Sequence, residues 1–207
     1  MIAEIGHFAL ILALVLSVVQ CVLPLVGAAR GIGSWMALAR TAAYANALFL
    51  TISFGTLAYS FYISDFTLLN VASNSNSLLP WFYKVAATWG SHEGSILFWA
   101  LMLTWWGFLV ALTSRKLPQE TVARVLGVMG FITAGFVAFM LFTSNPFLRL
   151  FPAAPEGADL NPLLQDPGMV FHPPLLYMGY VGFTVPFAFA IAALIAGRLD
   201  AVWARWM

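Results

Sequence analysis

Five stretches of this chain are apolar for about the length that a helix needs to cross a bilayer, and that decides what it can fold into. They are Ile5–Val26, Ala42–Ile63, Ser95–Thr113, Val122–Phe142 and Pro174–Ala196. Apart from Arg124 at the head of the fourth, none holds Asp, Glu, Lys or Arg. A span takes about 20 apolar residues. Lipid offers the backbone no hydrogen-bond partner, so each such stretch has to satisfy its own amides as a helix. The chain is 62% hydrophobic and 8% charged, whereas a soluble domain carries roughly 25% charged residues. Too little polar surface is available to cover a water-soluble globule. The expected fold is all-α: a polytopic helical membrane protein with five transmembrane helices, forming one transmembrane domain over residues 1–207. A net charge of +1 argues against a nucleic-acid partner. Cys21 is the lone cysteine, so no disulfide framework exists. Glu4 stands where a signal peptide would be basic, and the first apolar run is long enough to span.

Positive charge sets the expected orientation. Arg30 and Arg40 follow the first span, Arg115, Lys116 and Arg124 surround the third connection, and Arg198 and Arg205 lie in the tail. The opposite side has Lys84 and Arg149 among Asp65, Glu93, Glu156, Asp159 and Asp166. The N-terminus is therefore expected outside and the C-terminus inside (N-out/C-in).

Local signals refine this scheme. Pro24, followed by Gly27, is expected to end or kink the first helix, and Pro186 to kink the fifth. Asn46 is a candidate for a hydrogen bond to a neighbouring helix. The first outer loop, 64–94, contains Asn74-Ser75-Asn76-Ser77 turn chemistry and then LLPWFYKVAATW. With Ser77 as N-cap and Pro80 in the first turn, it predicts a short interfacial helix carrying Trp81, Phe82, Tyr83 and Trp89. Such a helix either lies on the outer leaflet or packs on the bundle as a lid. His92 and Glu93, set among small residues, are solvated, paired with each other or Lys84, or part of a polar site. Trp105-Trp106 reads as packing, and Gly127, Gly130 and Gly135 as close-packing positions.

The stretch from Asp159 to Gly182, DLNPLLQDPGMVFHPPLLYMGYVG, carries the sharpest pattern. Pro173 and Pro174 directly follow His172, and a helix starts more easily at prolines than before them. The expectation is that His172 sits at or beside an N-cap where the chain leaves water. Residue type and position leave two readings: a structural or interfacial side chain, which is the default, and an aimed metal ligand. His7, His92 and His172 all fall on the expected outer side, which is compatible with a metal or haem surface there.

The blocks VASNSNSLLPWFYKVAATWGSHEGSILFW and DLNPLLQDPGMVFHPPLLYMGYVG resemble the N-terminal part of the CcmF/NrfE cytochrome c-type biogenesis haem lyase family, and the resemblance runs through almost the whole chain. It implies that haem b, delivered by the chaperone CcmE, is passed as substrate to a CxxCH motif of apocytochrome c. That apocytochrome is presented by CcmH and CcmI-type subunits, on the periplasmic face of the bacterial inner membrane. It also implies that His172 is an axial ligand to the haem iron. Asp159, Asn161, Gln165, Asp166 and Tyr177 are the candidates to support the ring's other nitrogen, with Trp89, His92 and Glu93 as further supporting residues. The family's tryptophan-rich WWD segment, second outer axial histidine and bundle histidines are not within these 207 residues; Trp105-Trp106 is followed by Gly107 and lies inside a span. The chain is accordingly expected to be a segment or one subunit of the lyase, presenting one half of an axial pair and not completing transfer alone. Two other readings compete. One is a structural docking piece of the maturation complex. The other is a proton-pathway subunit using Glu93, His92 and Asp65.

Overall fold

The computed structural model describes residues 1–197; Arg198, Arg205 and the rest of the tail, used above for orientation, lie outside the described residues. Eight α-helices are described: α1 (Ile2–Arg30), α2 (Gly33–Tyr62), α3 (Leu69–Asn74), α4 (Trp81–Gly90), α5 (His92–Thr113), α6 (Gln119–Phe142), α7 (Pro167–Gly182) and α8 (Thr184–Ala196). Among the described residues, five segments are long and apolar enough to cross a membrane: α1, α2, α5, α6 and the α7–α8 pair. The fold class is the expected one.

The boundaries moved. Helix α1 runs through Pro24 and ends at Gly31, whose φ of 70° is the left-handed conformation that closes a helix. Membrane helices tolerate an internal proline because neighbours re-satisfy the freed carbonyl. Helix α2 begins at Gly33, so the connection shrinks to Gly31-Ile32 and Arg40 lies within the helix. The last span is broken at Phe183. Pro186 explains the position: its ring excludes the carbonyl of Gly182, one turn upstream, so the kink falls there.

The transmembrane helices are apolar all round, as expected when one side faces lipid and the other faces protein. Their packing is centred on α1, α2, α5 and α6. One buried cluster near the end that carries His7 includes Leu10, Leu57, Leu97 and Met140; another toward the opposite end includes Leu103, Leu126, Met129 and Phe189. A polar clamp crosses the interior. The Ser17 hydroxyl donates to Asn46 Oδ1 (3.2 Å), Asn46 Nδ2 donates to Gln20 Oε1 (2.7 Å), and Gln20 Nε2 donates to the Leu126 carbonyl (2.9 Å). It joins α1, α2 and α6, as Asn46 led one to expect. Asn46→Leu is expected to lower stability by about 1 kcal/mol, the usual scale for such bonds in a bilayer. Thermal unfolding in a fixed detergent reads it, and an unchanged midpoint would show the clamp to be idle.

A layer of short elements covers the end of the bundle that carries His7. Helix α4 packs on α2, α5 and α7, burying Ala86, Ala87 and Thr88 and leaving Trp81 and Phe82 exposed. It is the lid alternative for the short helix. Its cap differs from the expected one: the helix starts at Trp81, and Ser77 instead gives its N–H and hydroxyl to Glu156. Those bonds, the hydroxyl first and then the Gly157 and Ser77 amides, hold the Glu156 carboxyl below the usual carboxylate range. The loop after α6 is tied down further by Leu69 N–H to Leu148 O and Leu150 N–H to Thr67 O, both 2.9 Å. Arg149 reaches Glu4 and Thr67, with Asp65 Oδ2 at 3.8 Å.

Candidate functional site

Helix α7 begins earlier than the prolines suggested. Asp166 is its N-cap, the side-chain oxygen accepting from Gly168 N–H at 2.7 Å, and Pro167 occupies the first turn. Asp-Pro is the stronger start signal, because the carboxylate answers an orphan amide and the proline has none to orphan. His172 is therefore inside the helix, not at its cap, with Pro173 and Pro174 as interior residues. Pro173 is buried against the bundle while His172, Phe171 and Leu175 are exposed.

Two indoles and a phenol fasten this helix to its neighbours. Trp89 Nε1–H donates to the Met169 carbonyl at 3.1 Å. The Tyr177 hydroxyl pairs with Ser95 Oγ. Trp106 Nε1–H donates to the Met178 carbonyl at 3.0 Å, and its ring lies where a side chain on Gly182 would go. An aromatic block backs these ties: Trp89 stacks on Phe98 with centroids 5.8 Å apart, and Tyr177 stands edge-on to Phe98 (5.4 Å) and Trp99 (5.6 Å). The two tryptophan ties were not read from the sequence. The i to i−4 rule gave a signal for one of them: Pro173 strands the Met169 carbonyl, which then needs a donor.

The residues named as supports for His172 have other partners. Asp159 Oδ1 accepts from Leu160 N–H (2.7 Å), Asn161 Oδ1 from Leu163 N–H (3.0 Å), and Gln165 Nε2 donates to Leu160 O (2.9 Å). Asp166 caps α7 and Tyr177 turns to Ser95. Among the described residues none donates to or accepts from the His172 ring.

The three histidines share one end of the bundle but not one site. His92 Nδ1 lies 3.1 Å from Ser144 Oγ and 4.0 Å from Glu93 Oε1. His7 Nδ1 is 3.3 Å from Asn145 Nδ2, its ring at an angle to Phe147. These two gather at the end of α6, whereas His172 stands on α7. Among the described residues no three His, Cys, Asp or Glu side chains converge as a metal cage. A bare cation would need such a cage. A haem iron is already held by its macrocycle and asks the protein for an axial nitrogen beside an apolar wall. An exposed imidazole flanked by Phe171 and Leu175 fits that demand on one face.

These features define a class: a multi-pass helical membrane protein that presents an open imidazole from a proline-containing helix at one end of its bundle. Residues 89–206 match the family described as Cytochrome C assembly protein. The chain is 61% identical over its full length to the cytochrome c-type biogenesis protein CcmF of Pseudomonas aeruginosa, covering 32% of that protein. It is 54% identical to CcmF of Escherichia coli, again over the full chain and 32% of that protein. The NrfE protein of Haemophilus influenzae is 49% identical, the chain covering 33% of it. A solved structure of the cytochrome c heme lyase CcmF superimposes with a TM-score of 0.85 at 28% identity, over 98% of this chain and 32% of that one. The chain belongs to the cytochrome c assembly protein family and corresponds to the N-terminal part of CcmF. It spans about a third of the length of these relatives.

Proposed function

We propose that this chain is the N-terminal part of a haem lyase that matures c-type cytochromes, and that His172 supplies one axial nitrogen to the haem in transit. The observation that carries the reading is the His172 ring itself: exposed, without a hydrogen-bond partner among the described residues, and mounted on a helix fastened from both sides. The relatives are named for cytochrome c-type biogenesis and the matching solved structure for heme lyase, which supports the cargo. In the completed protein, haem b from the chaperone CcmE would be attached to the CxxCH cysteines of an apocytochrome held by CcmH and CcmI-type subunits. This chain's part is positional. The His172 side chain is exposed, the exposed Phe171 and Leu175 offer the porphyrin an apolar edge, and the buried Pro173 seats the helix on the core. The remainder of the lyase contributes the second axial ligand. Arg30, Arg40, Arg115, Lys116 and Arg124 at the far end favour a periplasmic face for His172 in the inner membrane.

Glu93, His92 and Asp65, the residues of the proton-pathway alternative, all stay at the end of the bundle, and Asp65 is occupied by Thr67. That arrangement favours haem handling over a transmembrane relay.

The test uses the full-length protein carrying this segment. His172→Ala is expected to lose the outer-face haem, read as a reduced Soret band, and holocytochrome production while the membrane level of the protein stays normal. Equal haem and equal cytochrome in both versions would remove the ligand assignment.

A further inference from the structure

Two consecutive prolines inside α7 each strand a carbonyl one turn back, because a proline has no amide to donate. The amide owed to Met169 belongs to Pro173, and the one owed to Val170 belongs to Pro174. A carbonyl left bare in apolar surroundings is costly, and a helix missing this bond bends at that point. The Met169 carbonyl is not bare. It is the acceptor of the Trp89 indole N–H at 3.1 Å. Trp89 reaches it from the last turn of α4, held by its stacking on Phe98, and Phe98 meets Tyr177 of α7 beyond His172. The stranded carbonyl and the proline that strands it bracket His172 in the chain.

We propose that Trp89 is a positioning residue for His172: its indole N–H replaces the backbone amide that Pro173 lacks, and so sets the direction in which the imidazole leaves α7. The proposal rests on the reading of His172 as a haem ligand. It assigns the prolines and the tryptophan to one device. The prolines remove two internal bonds from the helix beside the ligand, and the indole restores one of them from a different element. The ligand is thereby referenced to α4 and the α5 aromatic block instead of to its own helix alone.

The test is a double-mutant cycle in the full-length, haem-loaded protein. Trp89→Phe keeps a ring on Phe98 and deletes the donor, whereas Pro173→Ala gives Met169 its helical amide back. With Pro173 present, Trp89→Phe is expected to speed amide exchange across residues 167–176 by about fivefold, the scale of one lost hydrogen bond, and to shift the g values of the ferric low-spin haem. In the Pro173→Ala background both effects are expected to vanish. If Trp89→Phe does not accumulate, a benzothiophene side chain at position 89 exchanges only the N–H for sulfur and runs the same cycle. Equal effects in the two backgrounds, or none in either, would overturn the proposal, since packing alone does not depend on the amide of residue 173. Faster exchange with an unmoved haem spectrum would overturn it too. His172→Ala measured alongside separates the two readings: a spectrum indifferent to His172 itself defeats the ligand assignment first, and the positioning role with it.

Discussion

Gly94→Ala is expected to prevent this domain from accumulating in the membrane. Gly94 lies in the first turn of α5, directly under the last turn of α4, and its N–H is taken by the Ser91 cap at 3.1 Å. A Cβ there would stand 1.7 Å from the Thr88 carbonyl oxygen and 2.8 Å from its carbon. The obstacle is backbone, so no rotamer change relieves it, and the α4–α5 junction has to open. Overpacking of this kind costs on the order of 3 kcal/mol or more. Opening also displaces Trp89 and His92, which flank the junction. Gly135→Ala is the control: Gly127 and Gly130 are close-packed against α1 as expected, but Gly135, expected to be so too, is not, since a Cβ there meets nothing within 4 Å. Helix propensity favours alanine by about 1 kcal/mol, so that variant is expected to equal or exceed the parent. Quantitative membrane levels and thermal unfolding in detergent compare the pair. Equal stability of the two alanine variants would sink the close-approach argument.

The five spans were legible because apolar length in lipid admits one solution, and the Cytochrome C assembly protein match agrees with the family read from the WGSHEGS and HPP blocks. Their ends were harder to read. Helix α6 starts at Gln119, three residues before the expected span, and so takes in Glu120, which lies 2.6 Å from Arg124 at i, i+4 spacing; the charge at the head of the span is neutralised by a residue that reads as loop. The start of α7 was misplaced because two signals competed. His-Pro-Pro and Asp-Pro both admit a helix start, and the capping carboxylate decides for Asp166. The ties that hold the candidate site, Trp89 to Met169 and Tyr177 to Ser95, join residues far apart in the chain. Periodicity carries no information about such pairs. Only once the helix start is placed at Asp166 does Pro173 strand the Met169 carbonyl and call for a donor, and even then nothing local says which helix brings it.

Arg40 is where a misread boundary yields the second large effect. As a loop residue it would be one more solvated positive charge, and its loss would matter little. Within α2 it is half-buried, and its guanidinium donates to the Ala111 carbonyl, to Ser114 Oγ (3.3 Å) and to the Ser114 carbonyl (2.9 Å). These groups lie at the C-terminal end of α5, where carbonyls lack helical partners and the macrodipole is negative. One planar fork thus closes that helix end and fastens α2 to α5. Hydrogen bonds to a charged group contribute about 1.5–3 kcal/mol, so Arg40→Met, which keeps the apolar stem, is expected to cost about 2–3 kcal/mol. For a chain of this size that lowers the unfolding midpoint by roughly 5–10 °C. Arg40→Lys keeps the charge without the fork and is expected to fall in between. A lysine variant as stable as the parent would show that charge near the helix end is sufficient. A methionine variant as stable as the parent would return Arg40 to the role of an ordinary solvated charge.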